Sequence, residues 1–398
     1  MNWNDCIERT NTHSVKWSFS DEEIIPMCIA DMDFQVAPAI MEAMKKKSEH
    51  GIYGYTTFCE RYYEAVMGWW KKRFGLHLEK EWITFSPGII PGVNLLLHLL
   101  TEPGDKVIVQ DPVYYPFYTS IDFHGCEAVK NSLLYENGRY EMDFEDLDRK
   151  ASDPKAKVLI LCSPHNPVGR VWTLEELRRV GEICMKHGVW IISDEIHGDL
   201  VYRQNRHIPF YQAGTDLQQR SIVCAAPSKT FNIAGLQTSI IMIANEELRN
   251  KYNEKLMQFG LMRPNGFGVE ATIAAYESSE SWLEELLDYL EGNLMYTENY
   301  FKTNMPEIKP VKPEATHLVW LDCTGLGMEG EELFQFFLRE AKIKFDEGHK
   351  FGDNGKVFLR MNIACPRDRL DTALRRMQEA VLRLRMKRHQ DQKSPAKQ

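Results

Sequence analysis

From about residue 45 to residue 280, short apolar runs alternate with helix-like stretches, a pattern that few folds accommodate. The apolar runs are Trp82-Ile-Thr-Phe85, Lys106-Val-Ile-Val-Gln110, Val158-Leu-Ile-Leu-Cys162, Val189-Trp-Ile-Ile-Ser193 and Ser221-Ile-Val-Cys-Ala-Ala226. Between the third and fourth, Thr173-Leu-Glu-Glu176 matches a capping box and opens a helix through Lys186, with Gly188 as its stop. Strand, helix, strand in that order is a βαβ unit. The pattern predicts an α/β fold whose large domain holds a mainly parallel mixed sheet with helices on both faces.

Three of these runs lead into polar residues of different chemistry. Asn166 follows Val158 to Cys162, Asp194 follows Val189 to Ser193, and Lys229 follows Ser221 to Ala226. Ligands of open α/β sheets bind at the carboxyl ends of strands. An amine, a carboxylate and an amide meeting there can form an imine, hold a pyridinium proton and hydrogen-bond a phenolate. Those are the needs of pyridoxal 5′-phosphate (PLP). A single lysine after a strand is ordinarily a solvated loop residue. Asp194 read alone is a helix cap or loop carboxylate, and Asn166 before Pro167 is an Asx-turn. Three complementary groups at three strand ends are harder to assign to chance, and an unrelated phosphate-binding enzyme is the main rival.

The segments Asn166-Pro-Val-Gly-Arg170, Ser193-Asp-Glu-Ile-His197 and Ser228-Lys-Thr-Phe-Asn232 resemble the three signature segments of fold-type I PLP enzymes, the aminotransferase class I/II group. Ala30-Asp-Met-Asp-Phe34, Asp111-Pro-Val-Tyr-Tyr-Pro-Phe117 and Ser163-Pro-His-Asn-Pro-Val-Gly-Arg-Val-Trp172 resemble one branch of it, the MalY/PatB or cystalysin-type cystathionine β-lyases. The likeness runs from about Ile24 to about Leu384.

That resemblance implies roles. Lys229 would hold the cofactor covalently and shuttle protons at Cα. Asp194 would face the pyridine nitrogen, Asn166 and His197 the phenolic oxygen, and Tyr114 the ring face, with Tyr115 beside it near the substrate. Many aminotransferases carry a tyrosine where His197 stands. Gly88 and Ile89, in Ser86-Pro-Gly-Ile89, and Ser228 would bind phosphate, using backbone N–H groups at a helix start near Ile90. Tyr55 matches a tyrosine that reaches the phosphate from a partner subunit. Arg360, in Val357-Phe-Leu-Arg-Met-Asn362, matches the arginine that grips the substrate α-carboxylate, and the backbone at Ala30 and Asp31 would close over it. Two positions depart from the wider pattern: Ala226 stands where a serine is common, and Gln237 where an arginine is common. Asp194, His197 and Asp199 do not have metal-binding spacing, so no metal is expected.

The C-terminal part changes character. Charged helical stretches at residues 281–304 and 367–387 enclose strand-like runs at Thr316 to Leu321 and Lys356 to Arg360. They predict a smaller α+β domain, to which the resemblance adds the N-terminal segment. The domains read as 46–280 and as 1–45 with 281–398, with residues 387–398 a frayed polar tail.

Bulk properties set the remaining expectations. Lys+Arg 48 against Asp+Glu 57 gives a net charge of −9, so neither nucleic acid nor an anionic membrane surface is an expected partner. No apolar run approaches the roughly 20 residues that span a bilayer. The N-terminus lacks signal-peptide character, and the nine cysteines contain no C-x-x-C pair, which points to reduced thiols in a cytoplasmic protein. The reading is a homodimeric PLP-dependent C–S lyase that eliminates thiol from L-cystathionine or related S-substituted cysteines, leaving pyruvate and ammonia. An aminotransferase is the alternative. A non-catalytic PLP-fold regulator is the minor one, which loss of Lys229, Asp194 or Arg360 would have favoured.

Overall fold

The computed structural model describes residues 1–18, 21 and 23–393. The chain divides into two compact units: Gln35–Leu287 with Pro313–Thr316, and Met1–Phe34 with Asp288–Lys312 and His317–Gln398.

The larger unit is built on seven strands: β1 (Ile83–Ser86), β2 (Lys106–Val109), β3 (Glu127–Lys130), β4 (Ala156–Cys162), β5 (Trp190–Asp194), β6 (Ser221–Ala225) and β7 (Ser239–Ile243). They form one sheet in the order β1-β7-β6-β5-β4-β2-β3. The five strands from β6 to β3 are parallel, and β7 alone runs antiparallel to both its neighbours. The mainly parallel mixed sheet read from the sequence is therefore present. Two strands escaped that reading. β3 is an edge strand, Glu-Ala-Val-Lys, too short and too polar to register as an apolar run. β7 follows β6 with no long crossover helix, because an antiparallel neighbour needs none.

The helix predicted from the capping box spans Leu174–His187, with both reciprocal bonds formed between Thr173 and Glu176. Gly188 ends it at φ +71, the left-handed conformation glycine adopts freely. Helix Ile89–Leu100 turns Val93, Leu96 and Leu97 into the core with Val107, Ile160, Ile192, Ile222 and Ile241. Each such aliphatic side chain contributes about 1.5–3 kcal/mol on full burial. This packing fixes the sheet edge where the polar strand ends gather.

The smaller unit holds a four-stranded antiparallel sheet of β8 (Lys309–Val311), β9 (Leu318–Asp322), β10 (Asp346–Glu347) and β11 (Phe358–Asn362), in the order β8-β9-β11-β10. Helices Glu280–Asn304 and Arg367–Lys393 are longer than the charged stretches forecast. The tail expected to fray from residue 387 is helical through Lys393, and residues 394–398 lie outside the described part. Among the described residues, no helix is long and apolar enough to cross a membrane.

Candidate active site

Parallel strands bring their carboxyl ends to one edge. Cys162, Asp194 and Cys224 lie level across β4, β5 and β6. Asn166 therefore stands four residues beyond that line, and Lys229 five residues beyond it. Ser86, the last residue of β1, is level with Ser239 at the start of the antiparallel β7, so Pro87, Gly88 and Ile89 leave from the same edge.

Lys229 sits on a four-residue helical turn, Pro227–Thr230, and is half-buried. Ser228 beside it is buried. Asp194 is 3% exposed and accepts the Ile196 backbone N–H at 3.1 Å. Burial pushes its carboxyl up to about 7, Glu195 adds to the rise, and the nearby Lys229 ammonium works against it. His197 lies three residues further on and is also buried.

Asn166 is held in a tight turn. His165 N–H donates to Arg170 O at 2.8 Å, and Gly169 N–H to His165 O at 2.7 Å. Gly169 has φ +75, and a Cβ there would lie 2.6 Å from Pro313 Cβ, so only glycine fits. Arg170 locks this turn from below. Its Nε meets Glu314 Oε2 at 3.0 Å, its Nη2 meets Glu176 Oε1 at 3.0 Å, and its guanidinium lies over Trp172 at 4.6 Å. Glu176 thus serves both the helix cap and the turn that presents Asn166. The sequence reading gave Arg170 no part, because both carboxylate partners are fixed only by tertiary structure.

Tyr114 packs edge-on against Phe117, with centroids 5.6 Å apart, and Tyr115 beside it is 39% exposed. The helix near Ile90 starts at Ile89, with Gly88 as an N-cap that contributes no side-chain bond. Ser86 Oγ donates to Gly88 O at 2.7 Å and shapes that entry. A Cβ on Gly88 would sit 3.3 Å from Pro91 Cδ, tighter than ordinary contact. Gln237 adopts φ +50 and lines the same cavity as Tyr55. Tyr55 is 97% exposed.

The smaller unit carries Arg360, Ala30 and Asp31. Arg360, on β11, is 3% exposed. Its Nε and Nη2 lie 3.0 and 2.7 Å from Asp346 Oδ2, and Phe351 supports it at 4.7 Å. The same Asp346 oxygen accepts the Ile29 N–H at 3.0 Å. Asn362 Nδ2 donates to Ile29 O at 2.6 Å and to Asp31 O at 2.9 Å, and Asp31 pairs with Arg9 at 2.7 Å. The Ala30 segment and Arg360 are thereby tied to one another through Asp346, which the sequence reading did not single out.

The same reading passed over Glu195 as well. It is buried and accepts from Ser193 Oγ at 2.9 Å, His207 Nε2 at 2.9 Å and Phe210 N–H at 2.8 Å. Its only sequence signal was its place beside Asp194.

Cystathionine β-lyase PatB of Bacillus subtilis is 43% identical over 386 residues, covering 96% of this chain and 100% of PatB. Cystalysin of Treponema denticola, whose crystal structure contains PLP, matches with a TM-score of 0.94 at 34% identity, over 96% of this chain and 99% of that one. The PLP-bound C–S lyase of Staphylococcus hominis matches with a TM-score of 0.91 at 34% identity, over 96% of this chain and 98% of that one. The family described as aminotransferase class I and II matches residues 22–377, and with nine-tenths of its length so matched the chain belongs to that family.

Proposed function

We propose that this protein is a PLP-dependent C–S lyase that converts L-cystathionine, or a related S-substituted cysteine, and water into thiol, pyruvate and ammonia. The observation that carries the reading is a lysine and a buried carboxylate of raised pKa at adjacent carboxyl ends of parallel strands. The near-full-length likeness to PatB supports the choice of reaction.

The residues present fit the cofactor. Asp194 is a carboxylate whose burial disfavours its charge, and a cationic ring nitrogen beside it would restore that charge. The uncapped N-terminus at Gly88 and Ile89 offers backbone N–H groups to an anion. PLP, when bound, supplies an aldehyde for the substrate amine and a protonated ring that accepts the electron pair left at Cα.

The chain supplies the rest. Lys229 anchors the cofactor and takes the proton from Cα. Asp194 keeps the ring nitrogen protonated. Asn166 and His197 would hydrogen-bond the phenolic oxygen, Tyr114 would cover the ring, and Gly88, Ile89 and Ser228 would hold the phosphate. Arg360 holds the α-carboxylate, with the Ala30–Asp31 backbone closing beside it. The thiolate leaves Cβ with the pair of the C–S bond while the pair left at Cα closes the Cα–Cβ double bond, and Lys229 or Tyr115 protonates the departing sulfur. A thiolate is a good leaving group, so its departure outruns the reprotonation that transamination requires. Assaying cystathionine with and without an added keto acid tests this: the rate of pyruvate formation is expected to be the same in both. A rate that appears only with the keto acid replaces the reading with an aminotransferase.

The working unit in this reading is a homodimer. Tyr55 shares a cavity with Tyr53, Gly260 and Leu261, and on the same two stretches of chain Ile52, Tyr53, Phe259 and Met262 are each more than two-fifths exposed, which supports an apolar surface for a second copy. With Gln237 in place of an arginine, the Tyr55 hydroxyl carries more of the phosphate contact. Tyr55→Phe is expected to weaken PLP retention by roughly 1.5–3 kcal/mol, the worth of one hydrogen bond to a charged group. Equilibrium dialysis of cofactor measures it. Unchanged retention, or an active monomer in sedimentation, refutes this part.

A further inference from the structure

Asp199 lies five residues beyond Asp194, on the loop that also carries His197. It is buried and unusually well occupied. Its Oδ2 accepts the Thr230 hydroxyl at 2.9 Å, and its Oδ1 accepts the Trp69 indole N–H at 3.1 Å, with Arg73 Nε 3.7 Å away. Thr230 is fully buried and directly follows Lys229. Phe231, the next residue, is wedged edge-on against Trp69 at 5.8 Å and packs beside Trp282 at 6.0 Å. Trp69 in turn stacks on Tyr276 at 5.2 Å. Behind Lys229, then, the backbone is clamped by one carboxylate and a wall of aromatic rings.

A buried carboxylate is costly unless donors satisfy it, and an apolar residue would fill this space more cheaply. Burial raises the pKa of Asp199, while Arg73, Thr230, Trp69 and His207 pull it back. The sheet does not need a charge here: β5 and β6 are already paired along their length. What the carboxylate adds is a fixed link between the loop that follows Asp194 and the turn holding Lys229. A base on a flexible four-carbon stem works only if its Cα is held, since an error of about 1 Å costs on the order of 10²-fold in rate.

We infer that Asp199 is a positioning residue for Lys229, acting through the Thr230 hydroxyl. The inference rests on the role proposed for Lys229. The test uses holoenzyme carrying Thr230→Val, which keeps the shape and removes the donor, beside Thr230→Ser, which restores it. Thr230→Val is expected to lower kcat roughly tenfold, as for the loss of one hydrogen bond to a charged acceptor, with KM within about twofold. It is also expected to shift the pH midpoint of the bound cofactor's visible absorbance, with Arg73, His207 and Tyr276 as the other titratable groups facing Asp199. Thr230→Ser is expected to return both to near wild-type values. If Thr230→Val does not fold, Thr230→Ala, which also removes the donor, is read in the same way. A variant that melts lower but keeps wild-type kcat and pH midpoint makes the link structural only and overturns the inference. Borohydride labelling of a lysine other than 229 would instead defeat the parent reading, whatever the Thr230 variants do.

Discussion

Lys229→Ala is expected to leave a folded protein with turnover reduced by roughly 10³-fold or more. Lys229 is half-buried at the rim of the sheet, while the residues that hold its turn, Thr230 and Phe231, are fully buried and unchanged in the variant. The fold therefore loses little when the amine is removed. The chemistry loses both its covalent anchor and the base that reaches Cα. In wild-type protein, borohydride reduction of the loaded enzyme followed by peptide mapping should mark the peptide containing Ser228-Lys-Thr-Phe-Asn232. In the variant no stable label should form. Retention of more than about a tenth of wild-type kcat by the variant would contradict the assignment.

Asp194→Asn should act in opposite directions with and without cofactor. In the cofactor-free protein, burial holds the Asp194 carboxyl up at about 7, against 3.8 for an ordinary aspartate. Between those two values the folded chain keeps a proton that the unfolded chain has lost. Wild-type stability therefore falls as pH rises from about 4 to about 7 and stays low above it. Asparagine carries no such penalty. The variant without PLP is expected to be more stable than wild type at pH 8, by up to the order of 4 kcal/mol, with the gap closing toward pH 4. Loaded with PLP, the order reverses, because asparagine cannot hold the ring nitrogen in its charged form, and kcat should fall by roughly 10²-fold or more. Melting curves from pH 5 to 9, with and without PLP, separate the two effects. Parallel stability profiles for the two cofactor-free proteins would show that Asp194 titrates normally.

Much of the larger unit was legible because local signals and global fold agree. β4, β5 and β6 are continuous apolar runs, as strands buried on both faces must be. Thr173, Glu176 and Gly188 mark a helix at both ends in a way that does not depend on the rest of the chain. Lys229, Asn166 and Asp194 stood out because each follows such a run. What the sequence did not reveal depends on contacts made at a distance. Asp199 meets Thr230 across 31 positions, and Arg170 meets Glu314 across 144. Nothing local distinguishes those carboxylates from solvated ones. Asp346 lies on a two-residue strand with no pattern of its own, yet it ties Arg360 to Ile29. The exposure of Tyr55 was equally hidden, since a tyrosine in Gly51-Ile-Tyr-Gly-Tyr55 reads the same in a core, an interface or a loop.

Elimination and transamination differ in how many products each active site can release. Enzyme freed of all keto acids is mixed with a hundredfold excess of L-cystathionine, and pyruvate, thiol and ammonia are measured per active site. A lyase is expected to give equal amounts of all three, many per site, with the cofactor still in its aldehyde form at the end. A yield that stops at one keto-acid product per site, without free thiol and with the cofactor converted to pyridoxamine phosphate, would contradict elimination.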